Sequence, residues 1–130
     1  MADQFTILLV EDSVLMRSLV CDMLRPAERF TVLEAAEGQA ALDHLRRQRV
    51  DLVLSDWNMQ PVNGLQLLQS MRADRELADI PFVMMTGEQT PQTITHAVAA
   101  GVAGFLAKPF GRDQLAKLLT RIITSRPKAA

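Results

Sequence analysis

Thr6-Ile7-Leu8-Leu9-Val10-Glu11-Asp12 opens as a continuous apolar run and ends on two acids. Such a run, with no polar alternation, is what a strand carries when helices cover both of its faces in a parallel sheet. The same form recurs down the chain. Val50 to Ser55 precedes Asp56, Ile80 to Thr86 ends on a hydroxyl, and Ala103 to Ala107 precedes Lys108-Pro109. Phe30 to Ala35 completes five strand-like segments, and Pro81 is tolerable only because it sits near the beginning of its own.

Between these runs the apolar period changes from two to about 3.6. Met16, Leu19, Val20, Met23 and Leu24 recur at i, i+3, i+4, i+7 and i+8, which predicts one apolar stripe on a helix ending near Pro26. Ala40, Ala41, Leu42 and Leu45 predict a second helix whose outer face carries Arg46 and Arg47. A third opens at Gly64 with Leu65, Leu68 and Met71. Thr90-Pro91 has the form of an N-cap followed by proline at the first helical position, leading into Ile94, Ala97 and Val98 and stopping at Gly101. Leu115, Leu118, Leu119, Ile122 and Ile123 repeat the first stripe in a final helix. Five strands alternating with five helices predict an α/β, doubly wound parallel sheet, because parallel neighbours require crossovers that helices supply.

A chain of 130 residues suits one domain, expected over residues 1–125, with 126–130 a short C-terminal tail and no output domain after it. A hydrophobic fraction of 48% and a charged fraction of 22% are ordinary for a soluble protein, and a net charge of -1 gives no field for nucleic acid. Cys21 is the single cysteine, which excludes an internal disulfide and fits a reducing compartment. Neither a signal peptide nor an apolar run of membrane-spanning length is present, so a cytoplasmic location is expected.

In open α/β sheets, ligands bind beyond the carboxyl ends of the strands. Glu11, Asp12, Asp56, Thr86 and Lys108 all fall there, converging acids, a hydroxyl and an amine on one rim. Three gathered carboxylates repel one another and raise their own pKa values, so either some are protonated or a cation joins them, and the cation is the simpler answer. An oxygen-only donor set suits Mg²⁺ better than Zn²⁺, which favours Cys and His. A flavin carrier of similar architecture would instead need a Gly-, Ser- and Thr-rich phosphate loop after the first strand, where Glu11-Asp12 would repel the cofactor.

These residues resemble the response-regulator receiver family over nearly the whole chain. The match runs through Leu8-Leu9-Val10-Glu11-Asp12, Leu54-Ser55-Asp56-Trp57-Asn58-Met59, Met84-Met85-Thr86-Gly87 and Phe105-Leu106-Ala107-Lys108-Pro109-Phe110. The resemblance implies a flavodoxin-like fold with strand order 2-1-3-4-5 and a signalling switch, not an enzyme acting on external substrates. It implies that Asp56 accepts a phosphoryl group from a histidine kinase or phosphotransfer protein. Mg²⁺ would be held by Asp12, Asp56 and the backbone carbonyl of Asn58, with Glu11 orienting a metal-bound water. Lys108, aimed inward by a cis peptide to Pro109, and the hydroxyl of Thr86 would then meet the phosphoryl oxygens. Phe105, where the family has an aromatic switch residue, would turn inward when Thr86 moves. The output face, presented to a target protein, would be the fourth helix, fifth strand and fifth helix; the unphosphorylated chain would be a monomer, with no role for nucleic acid or membrane. A receiver that serves as a phosphate sink or relay, or one never phosphorylated, remains the alternative.

One loop departs from the family pattern. Met59-Gln60-Pro61-Val62-Asn63-Gly64 lacks the proline commonly found directly after Met and the aspartate directly before Gly. Asn63 can still cap a helix beginning at Gly64. Trp57 is expected as a partly exposed loop aromatic. His44, His96 and the basic edge Arg46, Arg47 and Arg49 are expected away from the rim.

Overall fold

The computed structural model describes residues 4–25, 29–87 and 90–125, so the expected stop at Pro26 and the tail 126–130 lie outside the described residues. Its elements alternate without exception: β1 (Phe5–Val10), α1 (Val14–Leu24), β2 (Phe30–Ala35), α2 (Gly38–Arg47), β3 (Leu52–Asp56), α3 (Gly64–Arg72), β4 (Phe82–Thr86), α4 (Pro91–Ala99), β5 (Gly104–Ala107) and α5 (Arg112–Ser125). All pairings are parallel and the order is β2-β1-β3-β4-β5, as the resemblance implies. Strand order therefore reverses between β1 and β3, which places the ligand crevice at their carboxyl ends.

Apolar runs on the central strands feed two cores, because successive side chains point to opposite faces. Leu8, Val10, Val53, Phe82 and Met84 meet Ala41 and Leu45 of α2 and Leu67, Leu68 and Met71 of α3 on one face. Ile7, Leu9, Leu52, Leu54, Val83 and Met85 meet Val20 and Leu24 of α1 and Leu115, Leu118, Leu119 and Ile122 of α5 on the other. Each buried Val, Leu, Ile, Phe or Met among these contributes on the order of 1.5–3 kcal/mol of burial free energy.

Capping fixes where the helices begin. Ser13 Oγ accepts from the Met16 amide at 3.2 Å, and Glu37 accepts from the amides of Gln39 and Ala40 at 2.6 and 3.0 Å. Asn63 and Gln66 form a reciprocal capping box, so the loop departure is compatible with the expected start of α3. Thr90 caps α4 with Pro91 at its first position, and the helix stops two residues before Gly101, whose φ is +94°.

Two stripes differ from expectation. Leu19 is 45% exposed, and Val14 and Leu15 are more exposed still, so α1 enters the core chiefly through Val20 and Leu24. On α4 only Ala97 is buried, while Ile94 and Val98 are 40% and 65% exposed. Leu67, which the reading of α3 passes over, is fully buried. β3 also begins two residues later than expected, at Leu52, and ends one later, with Asp56 as its last residue.

Candidate functional site

Each strand end delivers its group by continuing the sheet past its last apolar residue. The Glu11 amide still donates to the Ala35 carbonyl (2.9 Å), and the Lys108 amide to the Thr86 carbonyl (2.8 Å). Asp56 completes β3, and its main chain is overlaid closely by the start of α3: a Cβ on Gly64 would collide with the Asp56 carbonyl oxygen.

The structure brings Glu11, Asp12 and Asp56 together, with one carboxylate oxygen from each lying within 4.8 Å of the others. Asp12 is exposed, whereas Glu11 and Asp56 are 1% and 7% exposed. All three are oxygen donors, the chemistry that a hard divalent cation such as Mg²⁺ prefers, so the residues present fit that ion. Asn58 follows on the exposed part of the β3–α3 loop. Thr86 is buried at the end of β4, in register with Ala107.

Lys108 spans the acids. Its ammonium donates to Glu11 Oε1 at 2.8 Å and lies 3.2 Å from Asp56 Oδ1. The Lys108-Pro109 peptide is cis, as is Gln60-Pro61. Burial alone would pull the Lys108 pKa down; the Glu11 hydrogen bond and the charges of Asp56 and Glu11 outweigh it and raise it, so the side chain is an ammonium at neutral pH. Burial pushes the Glu11 carboxyl above its ordinary range, only partly offset by hydrogen bonds from Lys108 and the Ser13 amide, and the Asp56 charge adds to the rise.

Asp56 is held asymmetrically. The Trp57 amide donates to Oδ1 at 2.8 Å, and Lys108 approaches the same oxygen. Oδ2 has no protein hydrogen bond among the described residues.

Phe105 is half-buried against the core cluster formed with α2 and α3, in register with Met84. Alternation along β4 and β5 puts Thr86, Met84 and Phe105 on one face of the sheet. Trp57 is half-buried against the same cluster. His44 and His96 lie on α2 and α4, away from the acids. His44 Nε2 sits 3.0 Å from the Glu34 carbonyl, an acceptor only, which assigns the proton to that nitrogen. Arg46, Arg47 and Arg49 are exposed.

Sequence reasoning missed Arg72. Its guanidinium donates to the carbonyls of Ala78 (3.0 Å), Ile80 (2.9 Å) and Gly101 (2.8 Å), tying the end of α3 to the segment before β4 and to the α4–β5 turn. Because its acceptors are main-chain groups, no side-chain pattern announces it. It borders an open groove of about 610 Å³ with Asp79, Pro81 and Arg121, at the amino ends of β4 and β5 and so at the opposite end of the sheet from the acids.

The family model described as the response regulator receiver domain matches residues 7–120. The chemotaxis protein CheY-3 of Vibrio cholerae is 39% identical over 116 residues, covering 89% of each chain. The crystal structure of V. cholerae chemotaxis protein CheY4 superposes with a TM-score of 0.86 at 32% identity, covering 92% of this chain and 98% of that one. The receiver domain of the Pseudomonas aeruginosa sensor histidine kinase PA1611, solved with a magnesium ion coordinated in its active site cleft, superposes with a TM-score of 0.86 at 30% identity, covering 94% and 99%. A parallel sheet of this order, acids at the ends of its two central strands and a lysine reaching them from the edge strand are thus joined to similarity along most of the chain, and the protein belongs to the response regulator receiver domain family.

Proposed function

We propose that Asp56 is the phosphoacceptor of a two-component switch that draws its phosphoryl group from the phosphohistidine of a histidine kinase or phosphotransfer protein. One observation carries this reading: a nearly buried carboxylate ends the central strand with one oxygen engaged by Lys108 and the Trp57 amide, the other unengaged, and two further acids beside it. An Asp56 oxygen attacks phosphorus. The P–O bond forms as the P–N bond breaks, and the departing imidazole takes a proton from solvent. Asp12, Asp56 and the Asn58 carbonyl would hold Mg²⁺, with Glu11 beside it. The bound ion supplies positive charge against the phosphoryl oxygens.

Phosphorylation adds roughly 1.5–2 negative charges. Lys108 and the Thr86 hydroxyl are drawn toward that charge, and Phe105, on the face that Thr86 shares, turns further inward as Thr86 moves. The exposed Ile94 and Val98 on α4 support the α4-β5-α5 face as the surface that reads this change and engages a target protein. The chemotaxis relatives support chemotaxis as the pathway.

The test is exposure to a small acyl-phosphate donor and Mg²⁺ followed by intact mass measurement. Wild type should gain one phosphoryl group, and Asp56→Asn none. A wild type that stays unmodified excludes the reading.

A further inference from the structure

The loop between β3 and α3 carries Asn58 and is held at both ends. At its foot the Gly64 amide donates to the Trp57 carbonyl (2.9 Å). At its far end it meets a helix that contributes nothing to the acid cluster: the Gly38 amide, first in α2, donates to the Val62 carbonyl (3.0 Å).

Gly38 is buried in that contact. A Cβ there would stand 2.7 Å from Val62 Cβ and 2.9 Å from the Val62 carbonyl oxygen, and would overlap Val62 Cγ1. Non-bonded carbons settle at roughly 3.5–4.0 Å, so any side chain at 38 must separate α2 from the loop. Neither partner yields easily. The Glu37 cap fixes the first turn of α2 through the Gln39 and Ala40 amides, and Met59, 3% exposed, anchors the loop in the core. Asn58 lies between Met59 and Trp57, so displacement at Val62 is transmitted toward it over a short, restrained segment.

We propose that Gly38 is a positioning residue for the divalent cation: its missing side chain lets α2 clamp the loop at Val62, and the clamped loop sets the reach of the Asn58 carbonyl. The proposal rests on the cation-dependent receiver reading, and the experiment separates the two. By reciprocity, if the clamped loop favours the cation, the cation must favour the clamp by the same factor.

Mg²⁺ affinity is read from Trp57 fluorescence, and clamp stability from hydrogen exchange of the Gly38 amide in the full-length wild type. Saturating Mg²⁺ should slow Gly38 exchange at least about fivefold. Gly38→Ala should weaken Mg²⁺ binding by roughly the same factor, as expected for site-to-site coupling. Val62→Gly in the Gly38→Ala background removes the side-chain overlap but not the 2.9 Å approach to the Val62 carbonyl oxygen, and should restore part of the lost affinity. A purely structural glycine would lower stability, and Mg²⁺ would slow its exchange no more than it slows amides that exchange through global unfolding.

A saturable Trp57 response with unchanged Gly38 exchange overturns the proposal while leaving the receiver reading intact. So does a folded Gly38→Ala protein with wild-type affinity, or a double variant no better than the single. If Gly38→Ala does not fold, the wild-type exchange measurement decides. A wild type with no saturable Mg²⁺ response removes the receiver reading and the proposal together.

Discussion

Asp56→Asn removes one charge from the acid cluster while keeping the shape of the side chain, and its amide oxygen can still accept from the Trp57 amide. In the cation-free protein Asp56 feels one attraction, from Lys108 at 3.2 Å, and two repulsions, from carboxylate oxygens no farther than 4.8 Å. At an effective dielectric of about 20 the attraction is about 5 kcal/mol and each repulsion at least about 3.5 kcal/mol. Asp12 is exposed, so water screens its share to about half. The Coulomb contributions nearly cancel, and what survives is the cost of holding an ionised carboxylate that is 7% exposed. Losing that charge also frees Lys108 to pair with Glu11 alone and removes one cause of the raised Glu11 pKa. Asp56→Asn should therefore stabilise the cation-free protein by about 1–2 kcal/mol, a discounted fraction of the desolvation penalty of a buried ion.

The order should reverse when Mg²⁺ is added. At a free concentration of about 100 times Kd, a ligand specific to the folded state stabilises by about 2.7 kcal/mol, and the variant, lacking a ligand carboxylate, should gain little of this. Urea unfolding followed by Trp57 fluorescence and far-UV circular dichroism, in EDTA and in Mg²⁺, measures both halves. A variant less stable than wild type in EDTA, or one gaining as much from Mg²⁺, refutes the electrostatic reasoning.

Lys108→Met should cost about 2–3 kcal/mol at neutral pH by leaving Glu11 buried without its ammonium, a discounted value for breaking a buried pair. Because the folded-state Glu11 pKa is already raised above 4.5, protonation below that region removes the unpaired charge, so the urea deficit should shrink on acidification; a deficit independent of pH contradicts the assignment. Arg72→Met should lower stability by about 2–4 kcal/mol through three lost charge-assisted hydrogen bonds, read as a shift in urea midpoint at constant slope. Burial, then the neighbouring Glu34 carboxylate, pushes the Cys21 thiol up, so its alkylation by iodoacetamide near pH 8 should run at least about fivefold slower than that of a free thiol, since the thiolate is the nucleophile. An equal rate would contradict the burial of Cys21 on α1.

The strands and the rim were legible because a doubly covered parallel sheet leaves its inner strands little freedom: they must be largely apolar, and the polar residues that end them fall on the ligand side. Periodicity was less informative on the helices. It placed Leu19, Ile94 and Val98 in core stripes, yet all three are substantially exposed, since a helical period marks an apolar face without saying how much of it the core covers. The close approach of Gly38 to Val62 and the Arg72 tie were illegible for a further reason. Both depend on main-chain groups brought together by the fold, and every residue but proline offers those alike.

Lys108 shows why the parts of the rim must act jointly. Its ammonium is already committed, most closely to Glu11 Oε1 at 2.8 Å and next to Asp56 Oδ1 at 3.2 Å. If a phosphoryl group on Asp56 draws it away from Glu11, a carboxylate 1% exposed loses its nearest positive charge. That exchange becomes favourable only when another positive charge compensates Glu11 and Asp12. On the proposed reading, therefore, Glu11 and Asp12 would be compensated by a bound Mg²⁺, and Lys108 would be released from Glu11 to follow the new charge. Mg²⁺ affinity and the inward shift of Thr86 and Phe105 should then be thermodynamically linked, and a variant that weakens one should weaken the other.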